Sequence, residues 1–246
     1  EDFNQQIEKV KNKYVGYELP GKTIGVIGLG AIGVKVANAC LNLGMNVVGF
    51  DPMMTVNNAW ELQPGIEKSN NLGDLLKKSD VITIHIPSTD DTRNFIGKDE
   101  LSIMKDSVTL INLSRAEIIN NDAITSSLTE NTIKTYITDF PDRSLLGRSN
   151  VLLLPHLGAS TKEAETKCAK MVTRSIRSYL ESGNIYNSVN FPNVHLDKKI
   201  GSRLSVINHN QPNMVGQFTT CLGEAGININ DLSHKNYKEI GYTLID

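Results

Sequence analysis

Cysteine is scarce in this chain: Cys40, Cys168 and Cys221 are far apart, odd in number and form no Cys-x-x-Cys pair. That pattern argues against a disulfide framework and fits reduced thiols, so the cytoplasm is the expected compartment. Histidine is equally thin. His85, His156, His195, His209 and His234 never recur at the three- to five-residue spacing that sets two ligands on one face, so no metal site is expected. Long apolar runs are missing too. The longest, Ile24 to Val34, is glycine-rich and stops at Lys35, short of the roughly 18 to 20 residues that span a bilayer. Charge of one sign is also lacking: the formal net charge is -2, which supplies no basic field for a nucleic acid or an anionic membrane. Glu1 to Asn4 has neither the basic nor the apolar region of a secretory leader, and without an initiator Met the chain is expected to belong to a longer one.

What is present is a globular composition, 39% hydrophobic and 21% charged, in 246 residues, enough for one large domain or two ordinary ones. From residue 23 to about 155, β-branched runs alternate with helical patterns, which predicts β-α units feeding a parallel sheet. The expected strands are 23–28, 46–51, a weak one at 66–69, 81–86, 108–113, 134–139 and 151–154. Between the first two, Ile32, Val36, Cys40 and Leu43 recur at helical spacing and Gly44 ends the pattern. Asn121 or Asp122 is expected to cap a helix over 123–128. Ser160 to Glu163 reads as a capping box opening a long helix to Leu180, with Cys168, Met171, Val172, Ile176, Tyr179 and Leu180 on its buried face. Residues 185–202 lose periodicity and read as a linker. A second pattern follows: strand 203–208, turn 210–213, helix 214–225, strand 227–232 and strand 240–245.

The hexapeptide Gly28-Leu29-Gly30-Ala31-Ile32-Gly33 leaves a predicted strand and opens a predicted helix. In that context Gly28 makes the tight turn, Gly30 lets backbone approach a pyrophosphate, and Gly33 packs helix on sheet. The helix N-terminus points its amides at the anion. Asp51 lies eighteen residues after Gly33, at the end of the next strand, placed to accept from ribose hydroxyls and to repel the extra phosphate of NADP. NAD is therefore the expected cofactor. His85-Ile86-Pro87, Ser114-Arg115, Asp139 and Pro155-His156 all close predicted strands, so they crowd the carboxyl edge where open parallel sheets bind ligands.

The stretches GKTIGVIGLGAIG, SDVITIHIPSTDDTRNFI, LINLSRAEIIN and LLLPHLGASTKEAE, from residue 21 to 165, resemble the D-2-hydroxyacid dehydrogenase family, its phosphoglycerate-oxidising branch in particular. The resemblance implies a Rossmann-type doubly wound α/β domain over 20–158, preceded by a linking helix over 1–19. It implies that the helix over 159–184 returns to a substrate domain, about half of which would precede Glu1. It further implies oxidation of 3-phosphoglycerate or a similar small 2-hydroxy acid in the first step of serine synthesis, and a homodimer or homotetramer. The cofactor set it implies is Gly28, Gly30, Ala31, Ile32, Gly33, Asp51, Pro87, Leu113, Ser114, Arg115, Asp139, His156, Gly158 and Ala159.

Oxidising a 2-hydroxy acid needs a base of pKa near 7 beside the nicotinamide, and His156 is the candidate. Arg115 offers a planar fork for the substrate carboxylate. The family completes this pair with a Glu in a D-V-F-x-x-E-P segment. Here the segment is TDFPDRSLLG, and Arg143 stands at the Glu position. Asp142 or another carboxylate takes that place, or His156 works without one. The same shift leaves Asp139 or Thr138 to face the nicotinamide amide, with Asp139 preferred. A second departure is Ala116, where the family often has Gly. Residues 203–246 resemble a partial ACT module (βαββ), carried by NHNQPNMVGQF and EAGININ. The resemblance implies a serine effector held by Asn210 and Asn228, with Asn208 replacing a usual His. A non-catalytic NAD(H)-sensing protein on the same fold is the alternative.

Overall fold

The alternating pattern folds as consecutive β-α units in a computed structural model that describes residues 3–11, 15–197 and 201–246. The chain divides into two units, Glu1–Leu157 and Gly158–Asp246. The first contains α1 (Phe3–Lys11), β1 (Thr23–Ile27), α2 (Gly33–Asn42), β2 (Asn46–Phe50), α3 (Val56–Glu61), β3 (Glu67–Lys68), α4 (Leu72–Lys78), β4 (Val81–Ile84), α5 (Lys98–Ser102), β5 (Thr109–Asn112), α6 (Asn121–Thr129), β6 (Thr135–Thr138) and β7 (Val151–Leu153). The expected positions at 1–2 and 12–14 of the linking helix, and at 198–200 of the linker, lie outside the described residues.

Seven parallel strands form one sheet in the order β3-β2-β1-β4-β5-β6-β7. This is the doubly wound Rossmann order, and its direction of progress reverses between β1 and β4. Strands covered on both faces must be apolar on both faces, and β1 and β4 are buried almost throughout. Ile24 and Val26 pack with Val34 and Ala37 of α2, while Ile27 packs with Leu75 and Leu76 of α4 on the other side. The two cores thereby fix α2 over the β1–β2 half of the sheet and present its N-terminus at the carboxyl edge.

Several local expectations shift. Helix α6 is capped by Asn120, whose side chain accepts from Ala123 N, so Asn121 and Asp122 already lie inside the helix. The second unit opens with α7 (Lys162–Ser182), capped by Thr161 through Ala164 N, one residue after the expected Ser160. The apolar stripe of α7 is real but uncovered: Met171 is 52% exposed and Leu180 75%. A helical stripe marks a face suited to burial, and among the described residues of this unit nothing covers it.

The rest of the second unit is β8 (Leu204–His209), α8 (Met214–Glu224), β9 (Leu232–Tyr237) and β10 (Ile240–Ile245), with an antiparallel sheet in the order β8-β10-β9. The βαββ order matches the expected one, but β9 begins where the sequence pattern placed its end. The alternating stretch 227–231 is used to close α8 and to reach the sheet, through Ile227 N to Leu222 O and Asn230 N to Asp246 O. The strand itself is polar and sits at an edge, so it shows no two-residue apolar period. The segment expected as a linker is packed: Ile185 and Val194 form an antiparallel bridge, and with Leu196 they join Tyr242 and Leu244 in a small core. Among the described residues no helix is long and apolar enough to cross a membrane.

Candidate functional site

The loop between β1 and α2 lies at the carboxyl edge, where the strand order reverses. Gly28 has φ +87°, and a Cβ there would sit 2.7 Å from the carbonyl oxygen of His85, so only glycine fits the turn. A Cβ on Gly33 would overlap the carbonyl oxygen of Gly28. Gly30 differs: nothing lies within 4 Å of where its side chain would begin. Among the described residues, the N–H groups of Gly30, Ala31 and Ile32 make no backbone hydrogen bond, and they head α2. An open floor beneath unpaired amides at a helix N-terminus is what an anion requires.

Asp51 follows β2 and braces this loop. Its Oδ2 accepts from Leu29 N at 2.8 Å and its Oδ1 from Met53 N at 2.8 Å. A carboxylate oxygen has two lone pairs, so each retains one for a sugar hydroxyl. At the end of β4, His85 is held through Nε2 at 3.0 Å from Thr83 Oγ1, and burial pushes its pKa below the ordinary value. Pro87 starts the next loop, and Thr92 closes that loop by donating to Pro87 O at 2.6 Å.

The β5 end is organised by Asn112, a fully buried amide. Its Oδ1 accepts from Ser114 N at 3.1 Å and its Nδ2 donates to Arg115 O at 2.9 Å, so one side chain folds the turn through Leu113, Ser114 and Arg115. Ser114 Oγ donates across to Ile86 O, tying this turn to the β4 loop. Arg115 is exposed, and its Nη1 donates to Ser114 O at 2.6 Å. The rest of the guanidinium stays available.

After β6, Thr138 Oγ1 accepts from Phe140 N at 3.1 Å, and Asp139 is buried with Oδ1 lacking any hydrogen-bond partner. A buried orphan acceptor is costly and calls for a donor from outside the chain. His156 follows β7 and is exposed; its ring meets Phe140 edge-on, with centroids 4.8 Å apart. Among the described residues no carboxylate lies within hydrogen-bonding distance of His156. Asp142, the nearest in sequence to the missing Glu, accepts from Ser144 N at 2.8 Å and Ser144 Oγ at 2.6 Å, bonds that hold its pKa below the carboxylate range. It caps the short turn that begins at Arg143.

The first unit thus brings together Gly28 to Gly33, Asp51, Pro87, Leu113, Ser114, Arg115, Asp139 and His156 at strand ends of one sheet edge. Gly158 and Ala159 belong to the second unit. Asn210 and Asn228 are exposed there: Asn210 Nδ2 donates to Lys238 O at 3.0 Å, and Asn228 Nδ2 to Asn230 Oδ1 at 3.3 Å. Asn112, Thr92 and Phe140 escaped the sequence reading. A polar amide inside the otherwise apolar strand Thr109–Asn112 was the legible sign of the first. Among the described residues no cluster of three or more His, Cys, Asp or Glu could hold a metal ion.

Residues 2–158 match the family model described as D-isomer specific 2-hydroxyacid dehydrogenase, NAD binding domain. A D-3-phosphoglycerate dehydrogenase of Methanocaldococcus jannaschii is 35% identical over 194 residues, covering 76% of this chain and 37% of the relative. One from Escherichia coli is 32% identical over 243 residues, covering 94% of this chain and 58% of the relative. Among solved structures, a glyoxylate reductase from Paecilomyes thermophila superposes with a TM-score of 0.65 at 27% identity, over 75% of this chain and 58% of that one. The chain spans about half the length of the curated relatives it matches.

Proposed function

From the premise that the chain belongs to the D-isomer specific 2-hydroxyacid dehydrogenases, whose NAD-binding domain it carries over residues 2–158, we propose that the whole protein oxidises 3-phosphoglycerate. The reading rests on one observation above others: the unpaired amides over an open floor at Gly30, the braced Asp51, the Arg115 fork and His156 all stand at the carboxyl ends of one parallel sheet. The residues fit NAD. Gly28 to Gly33 would hold the pyrophosphate, the remaining lone pairs of Asp51 would take the adenosine ribose hydroxyls, and the orphan Oδ1 of Asp139 would accept from the nicotinamide amide. Pro87, Leu113 and Ser114 stand at the same sheet edge.

When bound, NAD+ supplies the hydride acceptor. Arg115 binds the substrate carboxylate through its two outer nitrogens and polarises the adjacent C2–O bond. His156 takes the C2 hydroxyl proton onto an imidazole nitrogen, leaving a 2-keto acid once hydride has departed from C2. With no carboxylate beside it, His156 is oriented by packing on Phe140. Oxidation of 3-phosphoglycerate would be the first step of serine synthesis, which the names of the relatives support. The other parts of this reading are a partial ACT module at 203–246, serine as effector through Asn210 and Asn228, a homodimer or homotetramer, and a cytoplasmic location.

Absorbance at the NADH band with full-length protein tests the enzyme. Turnover of 3-phosphoglycerate or 3-phosphohydroxypyruvate that vanishes in His156→Ala and Arg115→Ala, with NAD binding kept, supports it. The missing His156 partner favours one alternative, a sensor that binds NAD(H) without turnover, and binding with no reaction on any 2-hydroxy or 2-keto acid would decide for that. Turnover of other D-2-hydroxy acids alone would move the substrate within the family. Calorimetry with serine tests the effector.

A further inference from the structure

A cavity of about 370 Å³ opens beside the Arg115 turn, lined by neither Arg115 nor His156. Its size lies at the lower end of small-molecule sites, which run from about 300 to 1,000 Å³. The walls come from the segment after β4, the turn after β5, the start of α6 and the loop after β6. Ile119, Ile124, Phe140 and Leu145 give it an apolar wall, beside the amides of Asn94 and Asn121. Two exposed charges of opposite sign, Arg93 and Glu117, also line it. Among the described residues, neither the Arg93 guanidinium nor the Glu117 carboxylate has a hydrogen-bond or ion-pair partner. The backbone beneath them is nonetheless fixed, because Asn94 N donates to Glu117 O at 2.7 Å and Ile96 N to Ile118 O at 3.0 Å.

We infer that this cavity is a binding site for an α-amino acid with an apolar side chain. Arg93 matches the carboxylate, Glu117 the ammonium, and the wall of Ile119, Ile124, Phe140 and Leu145 the side chain. Asp142, in the same lining, adds negative charge, which disfavours a dianion or a phosphate ester and favours a ligand that carries an ammonium group. Phe140 is shared: it lines the cavity, and its ring meets that of His156 in a T-shaped contact. An occupant therefore presses on the residue that orients the imidazole. The site stands apart from the proposed dehydrogenase reaction and is testable whether or not turnover is found.

The test is calorimetric titration of the full chain with L-phenylalanine and L-leucine. Ligands of this size that fill a small pocket saturate with Kd on the order of 0.1 to 1 mM. Arg93→Gln and Glu117→Gln should each weaken binding about tenfold or more, as loss of a charged hydrogen bond does, while NAD affinity is unchanged. 3-Phenylpropionate, which lacks the ammonium, and 2-phenylethylamine, which lacks the carboxylate, should bind at least tenfold more weakly than L-phenylalanine. Absence of saturation with both amino acids overturns the inference, as do unchanged affinities in both variants or equal binding of the two truncated probes. Should a variant fail to fold, the wild-type chain carries the test by NMR. L-Phenylalanine must then move the His156 ring resonances and leave those of His209 and His234 in place, and the reverse pattern refutes the site.

Discussion

Two alanine substitutions three residues apart in sequence, at Gly33 and Gly30, act in opposite ways and separate the scaffold of the glycine loop from its ligand. In Gly33→Ala the new methyl overlaps the carbonyl oxygen of Gly28, far inside the ordinary contact distance of about 3.5 Å. That oxygen belongs to backbone and cannot rotate away, so the start of α2 must move. Forced overpacking of this kind costs about 1 to 3 kcal/mol. At roughly 2 to 4 °C per kcal/mol for a unit of this size, the first unit should melt about 2 to 12 °C lower. In Gly30→Ala the methyl meets no protein atom within 4 Å and the backbone is not left-handed, so the fold accepts it. Melting should stay put or rise slightly, since alanine restricts the unfolded chain by about 0.4 to 1 kcal/mol relative to glycine. The same methyl stands where the pyrophosphate must approach, and NADH affinity should fall at least about tenfold, or ~1.4 kcal/mol. Thermal melts without ligand and NADH fluorescence titrations read the two effects apart. Wild-type NADH affinity in Gly30→Ala, or wild-type melting in Gly33→Ala, would refute the reasoning.

Asn112→Ala removes both hydrogen bonds that fold the Ser114-Arg115 turn and leaves their partners unsatisfied, so a loss of about 1 to 3 kcal/mol is expected in chemical denaturation, with turnover falling further than NAD affinity. His85 is half-buried, and that burial sets its folded pKa below the unfolded value near 6.5; the unfolded chain therefore binds more protons on acidification, and stability present above about pH 6.5 is lost as pH falls through the folded pKa. Melting curves from pH 8 to 5 should show that decline, and His85→Gln should flatten it. Tyr242→Phe removes the hydroxyl that donates to Gly183 O at 2.7 Å and should cost the second unit about 1 kcal/mol by denaturant titration.

Much of the first unit was legible because a parallel sheet buries both faces of its strands. Val81 to Ile84 and Thr23 to Ile27 read as strands from β-branched apolar runs alone, and the six-residue glycine spacing gave the loop its role. The second unit was harder for a physical reason. The edge strand Leu232–Tyr237 alternates no apolar residues, while the turn residues 227–231 do, so the pattern pointed to the wrong five residues. Likewise, 185–197 has no period because its three core contributors, Ile185, Val194 and Leu196, are anchored singly from loop backbone. At the site, residue types named the candidates, but only geometry shows Asp142 consumed by its own turn and Phe140 standing against His156. Capping residues slipped by one because Asn120 and Asn121, like Ser160 and Thr161, are chemically equivalent neighbours, and backbone dihedrals choose between them.

The clasp between the Asp51 carboxylate and the Leu29 amide joins two groups of the chain itself. A bend held by its own hydrogen bond has little conformational freedom left to surrender at the moment of capture. Association should then proceed at a rate set by diffusion and orientation, with residence time carrying the differences among variants.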